Sequence, residues 1–238
     1  MIYTEKNTAP EGLRALAAAI AAQQSIELRQ VSPDDETDVT PAVRDCWTWL
    51  SQFTETKDNH WVEAGFPTPY RPFPQKPYFQ PVLEEMDRES VLFIEKSRDL
   101  MISWSCVGFF THKAQTTPQR EVLFQSQKEE KAWELIEYAK VLYARQHPKL
   151  RERFPLSKPL NRQPVSSLEF ANGSILRGIP EGADQVRSYH PWGLLMDEAA
   201  FQPKAGESYD HSVSVCQKII VLSSVGPGWF SDFATDNR

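Results

Sequence analysis

The sequence predicts an α/β fold in which helices cover both faces of a mostly parallel β-sheet, preceded by an N-terminal helical arm. Short apolar runs alternate with longer amphipathic segments from about residue 82 onward, as strands and helices do in such sheets. Two of the runs flank Asn172-Gly173, a dipeptide that favours a two-residue hairpin turn. Several runs end in polar residues, and ligands of open α/β sheets bind beyond the carboxyl ends of the strands.

Composition narrows the class of protein. The chain has 238 residues, of which 40% are hydrophobic and 24% charged, as in ordinary soluble globular proteins. No apolar run approaches the roughly 20 residues of a membrane-spanning helix, and the N-terminus lacks the pattern of a secretory signal. The three cysteines are widely spaced, which favours a reducing compartment. We therefore expect a cytoplasmic protein without membrane association. The net charge of −6 disfavours a chain that binds nucleic acid over its whole surface.

Residues 1–75 are predicted to form the arm, and residues 76–238 the globular domain. The arm contains, in order, an alanine-rich helix around Leu16–Ala22, an acidic linker at Ser32–Asp38, a short helix over residues 41–53 and the start of a proline-dense stretch at Pro67–Pro81. Repeated prolines favour extended backbone over helix, so this last stretch is expected to be extended.

Each element of the domain follows from its local pattern. The predicted order is a short helix at 81–90, a strand at 91–95, a helix from Ser103, a strand at 121–127, a long amphipathic helix at 128–146, a hairpin at 166–179, and strands at 192–198 and 217–224.

The first strand runs into a candidate phosphate-binding loop. The loop comprises Lys96, Ser97, Arg98, Asp99, Leu100, Met101, Ile102 and Ser103. Such a loop needs inward-pointing N–H groups, a lysine, and a hydroxyl at the helix start for Mg²⁺. If Ser103 supplies the hydroxyl, Lys96 and Met101 stand where the GxxxxGK[ST] pattern has glycines, and Ile102 where it has lysine. Lys96 can reach the phosphates from the opposite end of the loop through its flexible stem. The alternative is a strand that ends in charged surface residues.

Two later strand ends carry further candidate residues. Asp197 and Glu198 end an apolar run, a pattern in which the aspartate binds Mg²⁺ and the glutamate polarises the attacking water. Ser223 and Ser224 end the last run and can sense the γ-phosphate. Each end, taken alone, also fits a strand that simply meets solvent. Their order, with roughly 100 residues between the loop and the acids and about 25 from there to the serines, is that of ASCE-type P-loop ATPases.

From about residue 55 to the end, the sequence resembles the ATPase domain of tailed-bacteriophage terminase large subunits. The segments that carry the resemblance are TKDNHW, FPQKPYFQP, IEKSRDLMISW, VLFQSQKEEKAWELI, FANGSILRGIP, LLMDEAA and VLSSVGPGWF. The resemblance implies a motor that hydrolyses ATP to move double-stranded DNA into a procapsid. It makes Lys96 a displaced Walker A lysine, Ser103 and Asp197 the Mg²⁺ ligands, and Glu198 the catalytic base. Ser223 and Ser224 become the motif that couples hydrolysis to movement.

The same resemblance implies two further sets of residues. Phe79 and Gln80, following Tyr78, stand where the family recognises adenine, although aromatic packing of the arm on the domain is the alternative. Arg187 stands about ten residues before the acidic pair, where the family carries an arginine that acts across a subunit boundary. Arg98 and Arg177 are competing candidates for that role.

The implied partners are double-stranded DNA, a portal protein, a small terminase subunit and further copies in a ring, with a monomer expected for the isolated chain. DNA contact is expected to be weak and local, through the densest basic run: Arg145, His147, Lys149, Arg151, Arg153, Lys158 and Arg162. A solvated helix end is the alternative. Nothing resembles the acidic nuclease cluster of such subunits, so DNA cleavage is not expected. Other functions that fit are a helicase-like translocase and a catalytically degenerate scaffold.

Overall fold

The computed structural model describes residues 26–32 and 34–236, so the predicted helix around Leu16–Ala22 lies outside the described residues. The helices in chain order are α1 (Thr40–Arg44), α2 (Cys46–Phe53), α3 (Phe79–Arg88), α4 (Ile102–Thr116), α5 (Glu129–Arg145), α6 (Pro148–Arg153), α7 (Ala183–Arg187), α8 (Ala205–Val213) and α9 (Trp229–Asp236). Short 3₁₀ turns occupy Leu160–Arg162 and Ala199–Phe201. None of the described helices has the length and apolar composition that crossing a bilayer requires.

Within the described residues, eight strands form two sheets. They are β1 (Glu55–Lys57), β2 (Tyr70–Pro72), β3 (Val91–Lys96), β4 (Glu121–Ser126), β5 (Ser167–Glu169), β6 (Ile175–Pro180), β7 (Gly193–Asp197) and β8 (Lys218–Ser224). β1 and β2 pair as a small antiparallel ribbon, which the sequence pattern did not indicate. The main sheet has the order β3-β8-β7-β4-β6-β5 and is parallel except for the β5–β6 hairpin. The predicted mostly parallel sheet and its hairpin are therefore confirmed. The Phe170 N–H donates to the Ser174 oxygen, so the turn has three residues, 171–173, rather than the predicted two.

Alternate residues of the central strands enter two apolar cores. Leu195 and Ile220 pack in the core under α4 and α5, whereas Leu194 and Met196 pack in the core under α8 and α9. Because successive side chains of a strand point to opposite faces, a continuous apolar run is what a strand covered on both faces requires. The predicted helices on both faces are confirmed.

The proline-dense stretch is not extended throughout. β2 lies within it, but α3 begins at Phe79, two residues before Pro81. A proline is tolerated in the first turn of a helix because the N–H that it lacks would have no partner there. The prediction of an extended backbone was therefore wrong at Phe79 and Gln80, and the helix predicted from Pro81 begins two residues earlier.

Part of the predicted arm belongs to the main core. The single helix expected over 41–53 is interrupted at Asp45, whose side chain caps α2 by accepting from the Thr48 N–H at 2.6 Å. Trp49 and Leu50 of α2 are fully buried in the core under α4. The His112 ring of α4 lies 2.8 Å from the Ala42 carbonyl oxygen and joins α4 to α1.

The carboxyl ends of the five parallel strands, β3, β8, β7, β4 and β6, lie along one edge of the main sheet. Lys96 at the end of β3 is in register with Ser224 at the end of β8, and Asp197 at the end of β7 is in register with Leu222. The polar residues that the sequence places after separate strands are therefore neighbours in space.

Candidate functional site

The loop between β3 and α4 makes its turn without glycine. Asp99 and Met101 both adopt left-handed backbone, with φ of 63° and 55°, and Met101 immediately precedes the first residue of α4. Left-handed backbone costs a non-glycine residue about 1–2 kcal/mol, less for aspartate, whose short polar side chain tolerates it. Met101 thus adopts the left-handed backbone conformation for which the usual motif has a glycine. Ile102, at the position of the usual lysine, is buried in the core.

Lys96 reaches across the sheet edge to Glu198. Its Nζ donates to Glu198 Oε1 at 2.7 Å, and its side chain is only 9% exposed. Glu198 itself has left-handed backbone, with φ of 55°, which turns the chain sharply after β7. Lys96, the first residue of the loop, is therefore in direct contact with Glu198, which follows β7 and lies 102 residues later in the sequence.

Ser224 holds the other carboxylate oxygen of Glu198. The Ser224 N–H and hydroxyl donate to Oε2 at 3.1 and 2.8 Å, and the Ser223 hydroxyl lies 3.5 Å away. Burial by itself raises the pKa of Glu198, but the hydrogen bonds from Lys96 and Ser224 outweigh it and hold that pKa below its ordinary value. Glu198 is therefore ionised at neutral pH.

Asp197 lies beside the hydroxyl that begins α4. Ser103 Oγ donates to Asp197 Oδ1 at 3.0 Å. Burial and, next, the charge of Glu198 raise the pKa of Asp197 to about 6. Gln202 donates to the Asp197 backbone oxygen at 2.7 Å and fixes the end of β7. A buried carboxylate next to a second one is stabilised by a cation.

These groups face a common cavity of about 530 Å³. The cavity is lined by the phosphate loop, by the ends of β4, β7 and β8, and by the N-terminal half of α5. The loop and strand residues are Lys96, Arg98, Asp99, Ser103, Asp197, Glu198 and Ser224, and the β4–α5 residues are Ser126, Gln127, Lys131, Glu134, Leu135 and Tyr138. The volume lies within the range of small-molecule sites.

The donor set fits Mg²⁺ with a phosphate ligand. No group of three or more His, Cys, Asp or Glu side chains within the described part of the chain could hold a metal ion by itself. Mg²⁺ is commonly bound by one or two protein oxygens together with substrate phosphates and water. The Ser103 hydroxyl and the Asp197 carboxylate, 3.0 Å apart, supply those oxygens.

The predicted adenine segment is not brought to this cavity. Phe79 is fully buried and packs against Phe73 and Trp47, so its ring offers no free face to a base. Gln80 is exposed, and its amide donates to Glu84 one helical turn away. The expectation for Phe79 is corrected because α3 begins at this residue and turns its ring inward. Tyr78 instead supports the loop, since its hydroxyl donates to the Leu100 carbonyl oxygen at 3.2 Å.

The three candidate arginines occupy different places. Arg98 lines the cavity. Arg177 pairs with Glu121 at 2.9 Å along the sheet. Arg187 lies on α7, pairs with Asp184 and is about 60% exposed, outside the lining of the cavity. Ser97 is exposed and does not line the cavity either.

Much of the basic run that was expected to contact DNA binds the chain itself. Arg145 pairs with Glu55, and the His147 ring lies 3.0 Å from an Asp35 oxygen. Arg151 donates to three backbone oxygens, those of Ala144, Gln146 and Arg29. Lys149 donates to the Thr37 oxygen. His147, Lys149 and Arg151 thus fasten the segment before α1, and Arg145 fastens β1 to α5. Arg153, Lys158 and Arg162 are exposed.

Sequence reasoning missed the α5 side of the cavity. Lys131, Glu134 and Tyr138 are spaced by three and four residues and therefore share one face of the helix. That spacing was visible, but nothing local indicated that this face points at the sheet edge rather than at solvent. Gln202 carries no motif signal at all.

Neither a family model nor a curated protein matches this sequence. Among solved structures, the fold is similar to that of the HK97 bacteriophage large terminase, with 11% identity and a TM-score of 0.58 over 82% of this chain. The chain spans 42% of the length of that terminase. It also matches the Thermus phage P74-26 large terminase ATPase domain, with 15% identity, a TM-score of 0.46, 75% of this chain and 74% of that one. The similarity to the HK97 large terminase confirms the predicted α/β fold.

Proposed function

We propose that this chain is the ATPase motor domain of a terminase large subunit, which hydrolyses ATP to drive double-stranded viral DNA into a procapsid. The observation that carries the proposal is the convergence of Lys96, Ser103, Asp197 and Glu198 from three separate elements on one cavity. The fold shared with a phage large terminase supports the same assignment.

The proposed reaction is the in-line attack of water on the γ-phosphate of ATP. Glu198 orients the water and accepts its proton, because hydrogen bonds from Lys96 and Ser224 keep the carboxylate ionised. Lys96 and the N–H groups of the loop hold the phosphates. Ser103 and Asp197 hold Mg²⁺, which when bound neutralises charge on the phosphate oxygens.

Glu198 also connects the site to the rest of the molecule. Ser223 and Ser224 contact it directly, and the Ala200 N–H donates to the Ser223 hydroxyl at 3.1 Å. A movement of the Glu198 side chain during turnover would therefore displace the end of β8 and the segment that leads to α9. We assign to this pair the step that couples hydrolysis to movement. The proposed partners remain those of the resemblance: DNA, a portal protein, a small terminase subunit and neighbouring copies of the chain.

Turnover and nucleotide binding of the purified chain test the proposal. Glu198→Gln should retain ATP binding and lower turnover by about 10²–10⁴-fold, the usual contribution of a positioned base. Lys96→Ala should weaken ATP binding itself. Lys76→Ala and Glu207→Gln, exposed changes of the same kinds away from the cavity, should leave both properties unaltered.

Two results would redirect the assignment. Unchanged ATP binding in Lys96→Ala would move the phosphate-binding role to another group, with Arg98 as the nearest candidate. Absence of both binding and turnover in the wild-type chain would favour the scaffold alternative. Binding is measured alongside turnover because an arginine from a neighbouring copy is expected to complete each site.

A further inference from the structure

The segment that follows β4 forms one side of the cavity at the phosphate loop. β4 pairs with β7 in parallel, with Gln125 in register with Met196, so Ser126 at the end of β4 lies next to Asp197 at the end of β7. Ser126 and Gln127 line the cavity, and α5 begins two residues after Gln127. The first turns of α5 are therefore placed beside the proposed Mg²⁺ ligand.

Two oppositely charged residues of α5 face this cavity. Lys131 and Glu134 both belong to its lining, and the Lys131 ammonium donates to both carboxylate oxygens of Glu134, at 2.8 and 3.0 Å. Burial and the charge of Glu198 raise the pKa of Asp197, and the charge of Glu134 acts in the same direction. This face of α5 is therefore within electrostatic range of the acids that end β7.

The order of the strands determines the side from which Lys131 approaches. Along the sheet, β3 leads into the phosphate loop and is followed by β8, β7 and β4. The phosphate loop and α5 thus approach the end of β7 from opposite sides. In the proposed reaction, the loop holds the phosphates, and the terminal phosphate lies next to Glu198, which orients the attacking water. The terminal phosphate is therefore the one nearest to a side chain that reaches in from α5.

The other groups of the cavity leave a cationic role for Lys131. Ile102, at the position of the usual lysine, is buried in the core, and the Lys96 ammonium is held by Glu198 at 2.7 Å. Among the described residues, Lys131 is the one cationic side chain on the β4 side of the cavity. Its ion pair with Glu134 is 60% and 48% exposed, and exposed pairs contribute little to stability. The ammonium can therefore exchange the carboxylate for a phosphate.

We propose that Lys131 recognises the terminal phosphate of ATP, and that Glu134 holds the Lys131 ammonium when that phosphate is absent. A phosphate displaces the carboxylate because it carries more negative charge and offers more acceptor oxygens. This inference rests on the proposed function and adds to it a residue by which the site distinguishes ATP from ADP.

Calorimetric titration of the whole chain with Mg·ADP and with the non-hydrolysable analogue Mg·AMPPNP measures this preference. Lys131→Ala should weaken AMPPNP binding by about 10-fold, the size of one hydrogen bond to a charged group, and should change ADP binding much less. Lys131→Arg, which keeps the charge, should retain most of the preference. Lys128→Ala removes an exposed lysine at the start of the same helix, outside the cavity, and should change neither affinity.

Glu134→Gln tests the exchange of partners itself. This variant should tighten AMPPNP binding, because a carboxylate no longer competes for the Lys131 ammonium. If only the loss of a negative charge mattered, the gain would be the same in the Lys131→Ala background. Exchange of partners makes the gain smaller in that background, because the ammonium is already absent.

Three results would overturn the inference: equal weakening of ADP and AMPPNP binding in Lys131→Ala, an unchanged preference in that variant, or the same gain from Glu134→Gln in both backgrounds. A wild-type chain that bound neither nucleotide would instead contradict the proposed function, and the inference would fail with it.

Discussion

Asp197 and Glu198 are adjacent in sequence, yet their surroundings shift their pKa values in opposite directions. Asp197 is buried with one hydrogen-bond donor, Ser103, so its charged form is disfavoured. Glu198 is partly exposed, and its carboxylate accepts hydrogen bonds from Lys96 and Ser224, so its charged form is favoured. Paired acids with separated pKa values are how one site supports two roles. The two roles that we propose for this pair are a cation ligand, Asp197, and a proton acceptor, Glu198.

The Asp197 carboxyl predicts an unusual dependence of stability on pH. Its pKa is about 6 in the folded chain and about 3.9 in an unfolded chain, so the folded state holds the proton longer. This contribution to stability is complete below about pH 4 and is lost as the pH rises to about 6. The loss amounts to roughly 2–3 kcal/mol. Without Mg²⁺ and nucleotide at pH 7, Asp197→Asn should therefore unfold at a higher temperature than the wild type.

Thermal melts in EDTA between pH 4 and pH 7 measure this difference. The gap between Asp197→Asn and the wild type should widen with rising pH, whereas Asp184→Asn, an exposed acid on α7, should follow the wild type throughout. Addition of Mg·ATP should reverse the order at pH 7, because only the wild type retains the metal ligand. A gap that does not change with pH would refute the assigned burial of the charge.

At the scale of elements, the phosphate loop and the basic run illustrate opposite outcomes. The loop lacks glycine, and the sequence offered no residue that freely takes positive φ, yet Asp99 and Met101 adopt that backbone. The flanking β3 and α4, both packed in the core, impose the turn and offset its cost. The basic run matched the composition of a DNA-binding surface, yet much of it serves to attach the segment before α1.

Arg151 and Arg153 provide a matched pair for testing that structural role. Arg151→Met removes a half-buried guanidinium with three backbone acceptors and should destabilise the chain by about 2–4 kcal/mol. Arg153→Met, on the exposed side of α6, should change stability by no more than about 0.5 kcal/mol. Urea denaturation measures both values.

The same pair separates stability from DNA contact. If the exposed part of the run binds DNA, Arg153→Glu should weaken DNA-dependent activity without lowering the denaturation midpoint. Equal stability losses in Arg151→Met and Arg153→Met would contradict the attachment of the segment before α1 by Arg151.

At the scale of the whole molecule, the position of Arg187 bears on assembly. The guanidinium lies on the surface, outside the lining of the cavity that holds Lys96 and Glu198. Its ion pair with Asp184 is exposed and contributes little to stability, so the arginine can readily exchange this partner for another. An arginine so placed can act on the site of a neighbouring copy, whereas Arg98 lines the cavity of its own chain.

Mixing of inactive variants tests this arrangement. Arg187→Ala and Glu198→Gln should each turn over ATP slowly, because the first lacks the arginine that we propose to act on a neighbouring copy and the second lacks the proposed base. A mixture should recover turnover, since an intact arginine of one copy then meets an intact base of another. The same mixture made with Arg98→Ala should not recover if Arg98 acts within its own site. Failure of the Arg187 mixture under conditions where the wild-type chain assembles would remove the trans role.

The sequence alone determined the strands of the main sheet, the hairpin and the helices α3, α4 and α5, because these follow from local patterns of apolar residues and turn residues. It also placed Lys96, Ser103, Asp197, Glu198 and Ser224 at strand and helix ends, and parallel strands bring such ends to one edge. The candidate phosphate and metal groups could therefore be named before their geometry was known.

Only the tertiary structure decided which side chains were free to act. Phe79 is buried in the core. The His147 ring is hydrogen-bonded to Asp35, which lies 112 residues away in sequence. Trp104 of α4 and Tyr138 of α5 stack beside a cavity that could not be predicted from the sequence of either helix. The physical reason is the same in each case: local pattern fixes the conformation of a segment, but burial and pairing depend on residues far apart along the chain.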